Sequence, residues 1–385
     1  MNSRLSSIKR VLKIDLEDHP AAFVWGPRQV GKTTLLRQQF PSAKYYDLLD
    51  TDLMTALTLK PSRLREELLV EKAPLVIIDE IQKVPALLDE VHWLIENTKT
   101  QFILCGSSAR KLKKGAANLL GGRAWRFELF PLTTHEVKID DLEFVFNHGL
   151  VPSNFLAKKP ERNLKSYLYD YLREEIQHEA LVRNVPAFAR FLDTVAATHG
   201  QLINYANIGS DAGVSPKTVR EYFQILEDTL LGHTLEPWRK VKDRRLIETA
   251  KFYLFDMGVV RALRGFPLIQ KGTSEFGNFF EHFLIEEVRA YLAYKEKNLP
   301  IAFWRTSNSL EVDLIVGDMD VAIEFKSTDN VVPKHVNGLR ALIEEFKPKK
   351  PLLVCCEKTS RQRADGILVL PWQVFCKKLW TGEIC

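Results

Sequence analysis

No apolar run in this chain approaches the ~20 residues that a membrane-crossing helix needs, so no membrane partner is expected. The opening stretch, MNSRLSSIKRVLKIDLEDH, lacks an uninterrupted apolar core and a small-residue cleavage site. It reads as an amphipathic helix (Leu5, Ile8, Val11, Leu12) and not as a signal peptide. Cysteine is scarce: Cys105, Cys355, Cys356, Cys376 and Cys385 are an odd number without paired metal spacing. That excludes a disulfide framework and predicts reduced thiols in a cytoplasm, with Cys355 and Cys356 as buried strand residues. No internal repeat or low-complexity tract is present. With 45% hydrophobic and 27% charged residues the chain is no disordered polymer. A net charge of +5 is compatible with nucleic acid and does not require it. At ~150 residues per domain, 385 residues predict two or three domains.

What is present begins with AAFVWGPRQVGKTTLLRQQF. Ala21 to Trp25 reads as a short apolar strand. Gly26, Gly31, Lys32 and Thr33 then satisfy G-x-x-x-x-G-K-[ST], and a helix follows. In this strand–loop–helix context the backbone from Gly26 through Pro27, Arg28, Gln29, Val30 and Gly31 to Thr34 cradles phosphates, aided by the helix dipole. Lys32 would reach the β- and γ-phosphates of ATP, and Thr33 would ligate Mg²⁺. Downstream, APLVIIDEIQ is a continuous apolar strand ending in Asp79 and Glu80, as a buried parallel strand does. Asp79 would hold Mg²⁺ through water, and Glu80 would orient and deprotonate the attacking water. A third strand, QFILCGSSAR, ends in Ser107 and Ser108, which either contact the γ-phosphate or cap a helix. After two glycines, Arg123 is a candidate to stabilise the transferring phosphate, in cis or from a neighbouring subunit. Arg28 and Arg110 compete for that role.

The segments GPRQVGKTTL, LVIIDEIQ, FILCGSSAR and GGRAWRFELFPLTTHE resemble the AAA-type ATPases of bacteria and archaea that carry a C-terminal domain of unknown function, relatives of the STAND-like and archaeal ATPase groups. The resemblance extends over nearly the whole chain. It implies an ATPase core, a winged-helix segment and a C-terminal domain resembling restriction endonucleases.

Pro152 to Leu231 carries a helical pattern, with Leu164, Tyr167, Leu168, Tyr171, Leu172 and Ile176 spaced three and four apart. In INYANIGSDAGVSPKTVREYFQILEDTLL a short helix, a turn, a Ser215 cap and Pro216 at a first helical position predict a helix-turn-helix. Lys217, Thr218 and Arg220 would open its recognition helix, and Val219, Phe223, Leu226 and Leu230 would face the core. HTLEPWRKVKDRRLIETAKFYLFD reads as two strands around a basic turn, a wing exposing Arg239, Lys240, Lys242, Arg244 and Arg245 to phosphates. The competing reading is a winged helix used for packing, its charges merely solvated.

Near the C-terminus, Glu275 to Tyr294 is an amphipathic helix carrying Glu281. IAFWRTS, LEVDLIVG, VAIEFKS and KPLLVCC read as strands, with a helical stretch, HVNGLRALIEEFK, before the last. Asp313 precedes a short turn, and Glu324 and Lys326 share one face of the next strand. With Glu281 they supply the carboxylates and lysine that a Mg²⁺-dependent nuclease uses. The plain alternative is a hairpin decorated with charge for solubility. Val312 stands where the nuclease motif has its naming proline.

The expected fold class is α/β. A P-loop parallel sheet occupies residues 1–145, a helical and winged-helix region 146–265, and an endonuclease-like domain 266–385. The expected activity is Mg²⁺-dependent ATP hydrolysis coupled to nucleic acid, DNA favoured, by a cytoplasmic protein able to form homo-oligomers. The alternative is a nucleotide-switched signalling or scaffold ATPase whose nuclease-like domain is inactive and serves binding.

Overall fold

The apolar strands assemble as their continuous hydrophobic runs require, buried on both faces. The computed structural model describes residues 8–108, 120–168, 184–239 and 249–385. A first sheet joins β1 (Ala21–Trp25), β2 (Lys44–Asp47), β3 (Leu75–Asp79), β4 (Gln101–Gly106) and β5 (Ala124–Glu128), all parallel, in the order β2-β3-β4-β1-β5. Helices α1 (Lys32–Gln39), α2 (Thr51–Leu59), α3 (Ser62–Glu71) and α4 (Leu87–Asn97) connect these strands. Separate buried clusters line its two faces, one around Phe23, Ile78 and Leu104, the other around Val24, Ile77 and Ile103. The expected P-loop sheet is present, with β4 inserted between the P-loop strand and the acidic strand.

The N-terminal segment departs from its expected helix: residues 8–20 contain none. Leu12, Ile14 and Leu16 are buried on one face of the sheet, a period-two pattern that overrides the three-to-four spacing. Gln39 pins the segment, donating to the Leu12 carbonyl at 2.6 Å and accepting from the Ile14 N–H at 3.0 Å.

The middle region comprises α5 (Leu142–His148), α6 (Pro152–Phe155), α7 (Pro160–Ser166), α8 (Val185–Ala197), α9 (Tyr205–Ala212) and α10 (Pro216–Asp228). The antiparallel pair β6 (Gly232–Leu235) and β7 (Lys251–Leu254) follows, then α11 (Met257–Leu263). Ser215 caps α10, its hydroxyl accepting from the Thr218 N–H at 3.2 Å. Val219, Phe223 and Leu226 are buried as expected. Leu230 lies beyond the helix in a left-handed conformation (φ 57°) and packs against the core of the first sheet. Of the amphipathic pattern, Leu164 and Tyr167 are buried; Tyr171, Leu172 and Ile176 lie outside the described residues.

The C-terminal region opens with α12 (Ser274–Tyr294). A six-stranded mixed sheet follows, built from β8 (Ile301–Arg305), β9 (Glu311–Val316), β10 (Val321–Lys326), β11 (Lys350–Cys355), β12 (Arg361–Gln362) and β13 (Leu368–Pro371), in the order β12-β13-β11-β10-β9-β8. α13 (Asn337–Phe346) covers one face, and α14 (Trp372–Trp380) packs with α12 on the other. The last two strands and α14 had no counterpart in the sequence reading. All five cysteines are free; Cys355 is buried, whereas Cys356 lies just past the strand end and is half-buried. Among the described residues no helix is long and apolar enough to cross a membrane.

The middle and C-terminal regions share one continuous core, running from Leu132 through Phe191, Phe223, Phe252, Phe279 and Phe283 to Ile384. α12 also reaches the first sheet's unit through polar groups. The Glu287 carboxylate accepts from the Thr134 N–H at 3.0 Å and from the Trp380 indole N–H at 2.5 Å. Burial pushes Glu287 up to about 7, against the pull of Thr134 and Trp380. A carboxyl raised on folding binds more protons folded than unfolded. Its contribution is fully present below its ordinary value of 4.5 and is lost as pH rises through about 7. Replacing it by Glu287→Gln is therefore expected to shift stability relative to wild type in the variant's favour between pH 4.5 and pH 8, by up to about 3 kcal/mol. Urea unfolding at both pH values measures this; a gap that does not change with pH contradicts it.

Candidate functional site

The P-loop lies between β1 and α1. Gly31 caps α1 with φ 95°, and Gln29 also takes a positive φ of 63°. Gly26 runs so close to the chain after β5 that a Cβ there would stand 2.5 Å from the Leu129 carbonyl oxygen. The buried Lys32 ammonium lies over this loop, donating to the carbonyls of Gly26 at 2.7 Å and Pro27 at 3.0 Å.

Asp79, 1% exposed, ends β3 and faces Thr33. One of its oxygens accepts from the Thr33 hydroxyl at 2.7 Å and from the Tyr45 hydroxyl at 2.5 Å. Burial, then Asp79 itself, raises the Tyr45 phenol, so it remains a donor. Glu80 stands in the left-handed region (φ 59°, ψ 41°), which turns its carboxylate off the strand axis. The Gln82 side-chain N–H groups donate to Glu80 and, at 3.1 Å, to the Ser107 hydroxyl at the end of β4. The inserted β4 thus presents Ser107 between the P-loop strand and the acidic strand. Ser108 turns away and approaches the Asp228 carbonyl at 3.5 Å, at the end of α10. A hydroxyl beside a carboxylate is a hard-oxygen donor pair, and Thr33 with Asp79 fits Mg²⁺.

A cleft of about 540 Å³ opens over Lys32, Thr33, Thr34 and Glu80 and includes Arg28. Its opposite wall comes from the middle region: Ser153, Asn163 and Ser166. The Ser153 hydroxyl meets Gln29 at 2.6 Å, and the Asn163 amide donates to the Ser153 carbonyl at 2.8 Å. Tyr45, Gln82, Ser153 and Asn163 were missed in the sequence, where no motif marks them. Arg123 is not brought to this cleft. It precedes β5, whose first residue, Ala124, pairs with Ala21 at the end of the sheet opposite the P-loop, and it forms an ion pair with Glu96 at 2.7 Å. A role on phosphate would need a second copy. Arg110 lies outside the described residues.

Residues 18–138 match the family described as an AAA domain. The AAA-like unit is followed by residues 139–269 and 276–375, which match two families each described as a domain of unknown function (DUF8612 and DUF4143). Over 367 residues the chain is 27% identical to an uncharacterized protein of Mycobacterium tuberculosis, covering 94% of this chain and 82% of that protein. An uncharacterized protein of Haemophilus influenzae is 23% identical, covering 90% and 91%. Among solved structures, a Walker-type ATPase of Pyrococcus abyssi is 16% identical with a TM-score of 0.44, covering 69% of this chain and 95% of that one. A STAND protein with a tetratricopeptide repeat sensor from Pyrococcus horikoshii is 14% identical with a TM-score of 0.22, covering 77% and 50%.

Apart from the AAA-like unit, the chain assembles a second polar site. Asp313 on β9 and Glu324 on β10 are both buried, 5% and 6% exposed. The Asp313 carboxylate accepts from the Phe325 N–H at 2.7 Å and lies 3.8 Å from the Lys326 ammonium, which is 2.5 Å from Glu324. Burial pushes Asp313 up to about 6, and burial together with Asp313 pushes Glu324 well above its ordinary range. One Glu324 oxygen is buried without a partner. Glu281 is in the same neighbourhood but is engaged elsewhere: it accepts from Lys251 at 2.9 Å and from the Tyr253 hydroxyl at 2.5 Å. Lys251 also pairs with Glu311 at 2.6 Å. The expected trio of metal-ligating carboxylates, Glu281, Asp313 and Glu324, is therefore not assembled. Among the described residues no group of three His, Cys, Asp or Glu side chains is placed to hold a metal. A third ligand does not fit while Lys251 holds Glu281.

The basic residues of the middle region are dispersed. Lys217 is exposed at the start of α10, the Thr218 hydroxyl lies 3.0 Å from the Ser215 hydroxyl of the cap, and Arg220 stacks 4.6 Å over the Tyr205 ring. Arg239 is half-buried. Lys240, Lys242, Arg244 and Arg245 lie outside the described residues.

Because a Cβ at position 26 meets backbone and not a movable side chain, Gly26→Ala is expected to distort the loop. Nucleotide affinity, read with a fluorescent ATP analogue, should fall at least ~10-fold. Unchanged affinity would contradict the close approach.

Proposed function

We propose that this protein binds and hydrolyses ATP, and that its nucleotide state is transmitted to a C-terminal domain that engages nucleic acid, DNA favoured. The observation that carries the first half is the convergence of Lys32, Thr33 and Glu80 on one cleft, with Asp79 bonded to Thr33 beside it. Lys32 would exchange its two carbonyl partners for β- and γ-phosphate oxygens. Thr33 and Asp79 would hold Mg²⁺, which when bound neutralises charge on the phosphates. Glu80, positioned by Gln82, would orient and deprotonate the attacking water. Ser107, on the same amide, would report whether the γ-phosphate is there.

The second half rests on connectivity. Arg10 donates to the P-loop carbonyl of Val30 at 2.5 Å and to the Tyr294 hydroxyl of α12 at 3.1 Å. Glu281 lies 13 residues earlier on the same helix, ~20 Å along its axis. One rigid element therefore spans from the P-loop to the carboxylate cluster. The arrangement of α8, α9, α10 and the β6–β7 pair supports a winged helix, for which the sequence nominates Lys217, Thr218, Arg220, Arg239, Lys242, Arg244 and Arg245 as phosphate contacts. The order of α12, β8–β10, α13 and β11 supports an endonuclease-like domain with Asp313, Glu324 and Lys326 at its centre. Localisation in the cytoplasm accords with the free cysteines and stays part of the proposal.

A second reading is favoured by one observation. Glu281 is held by Lys251 and Tyr253, which suits a nucleotide-switched scaffold whose nuclease-like domain binds without cutting.

For the ATPase, Lys32→Ala should abolish hydrolysis, and Glu80→Gln should lower kcat ~100-fold or more while leaving ATP affinity nearly unchanged. Full activity in Lys32→Ala would sink the reading. For the nucleic-acid half, DNA affinity is expected to fall steeply with salt and ATP hydrolysis to rise when DNA is added. Affinity indifferent to salt would favour the scaffold. Mg²⁺-dependent cutting, lost in Lys326→Ala, would exclude it.

A further inference from the structure

The carboxylate cluster takes its positive charge from two parts of the chain. Lys326 belongs to the same sheet as Asp313 and Glu324. Lys251 comes from β7, in the middle region, and was not among the sequence candidates. It is 4% exposed, and its ammonium lies 2.9 Å from Glu281 and 2.6 Å from Glu311. Its position is fixed by the main chain. β7 pairs with β6, with Lys251 opposite Leu235. Lys251 also bridges Leu202, and the Ile203 N–H donates to the Ala250 carbonyl at 2.8 Å. The arm leaving β6 is bonded to the edge of the C-terminal sheet: the Trp238 N–H donates to the Phe303 carbonyl at 2.6 Å, and the Phe303 N–H donates to the Glu236 carbonyl at 3.0 Å.

We propose that Lys251 is the resident cation of this cluster, a protein-borne substitute that keeps a divalent metal out for as long as its charge holds Glu281. The proposal rests on reading Glu281, Asp313 and Glu324 as a site for a divalent cation. The physical argument is one of charge and occupancy. A buried ammonium repels a second cation a few ångströms away far more strongly than water would allow. It also takes the Glu281 oxygen that a metal would need, and Tyr253 reinforces that hold at 2.5 Å. Meanwhile one Glu324 oxygen, buried and without a partner, is an acceptor suited to a metal. With Lys251 in place the cluster is two ligands and a closed door. With Lys251 withdrawn, Glu281 is released toward Asp313 and Glu324, and three hard oxygen ligands become available, the set a Mg²⁺ or Mn²⁺ ion takes.

The bland alternative is an ion pair that merely fastens the hairpin to the sheet. It predicts lower stability on removing Lys251 and no change in metal binding. The experiment titrates Mn²⁺ into nucleotide-free, full-length protein and reads free Mn²⁺ by electron paramagnetic resonance. Lys251→Met is expected to bind one Mn²⁺ at least ten-fold more tightly than wild type. The gain should vanish in Lys251→Met combined with Asp313→Asn, and Lys251→Arg, which keeps the charge, should behave as wild type. Lys251→Gln, which keeps a hydrogen bond to Glu281 without the charge, is the second variant should Lys251→Met fold poorly. Mn²⁺ binding equal to wild type in the folded neutral variant overturns the proposal, as does a gain that survives Asp313→Asn. Because the readout is metal binding, a protein that never cuts nucleic acid can still satisfy it. Failure here is thus distinct from failure of the nuclease reading.

Discussion

A buried guanidinium ties the P-loop and the chain leaving the first sheet to the long C-terminal helix. Arg10 reaches the carbonyls of Val30, Phe130 and Pro131, the carboxylate of Glu136 and the hydroxyl of Tyr294. Burial opposes its charge, and Tyr294 and Glu136 more than restore it. No other side-chain type supplies five donors in one plane for so many separated acceptors. The P-loop, the chain leaving the first sheet, and the long C-terminal helix all meet at that residue. Without it, three carbonyls would lose a donor and the Glu136 carboxylate would keep only the Val11 and Thr133 N–H groups, with no cation beside it.

The nucleotide site is a local property of strand, loop and helix, and this is why it was readable from the sequence. Lys32, Thr33, Asp79 and Glu80 are placed by the backbone that immediately precedes them. The carboxylate cluster is different in kind. Asp313, Glu324 and Lys326 follow from strand alternation and a short turn. Lys251 and Tyr253 reach the cluster only because a hairpin some sixty residues upstream docks on β8, and no spacing rule encodes that. Gln82 and Tyr45 escaped notice for the same reason. Each is an unremarkable residue until the inserted β4, or the neighbouring β2, brings a carboxylate within reach.

Two other expectations were overturned or narrowed by identifiable physics. The N-terminal segment held apolar residues at helical spacing, yet Leu12, Ile14 and Leu16 are buried together beside Leu35 and Leu36 of α1, a period-two burial that goes with an extended strap. Arg123 followed two glycines in a phosphate-binding protein, but a parallel strand has two ends and only the carboxyl end carries the loop. The register of β5 on β1 puts Arg123 at the other end.

The core shared between the middle and C-terminal regions has a mechanical consequence. Phe276, Phe279, Phe280 and Phe283 of α12 pack in the same apolar mass as the helices of the middle region. Sliding one region across the other would open close-packed aromatic surface to water. The AAA-like unit instead has cores of its own and meets the remainder at a seam where apolar side chains such as Leu132 and Leu230 lie among hydrogen bonds able to exchange partners. The molecule is therefore built as an engine block bolted to a single casting, with its compliant seam running past Arg10, Thr134 and Glu287.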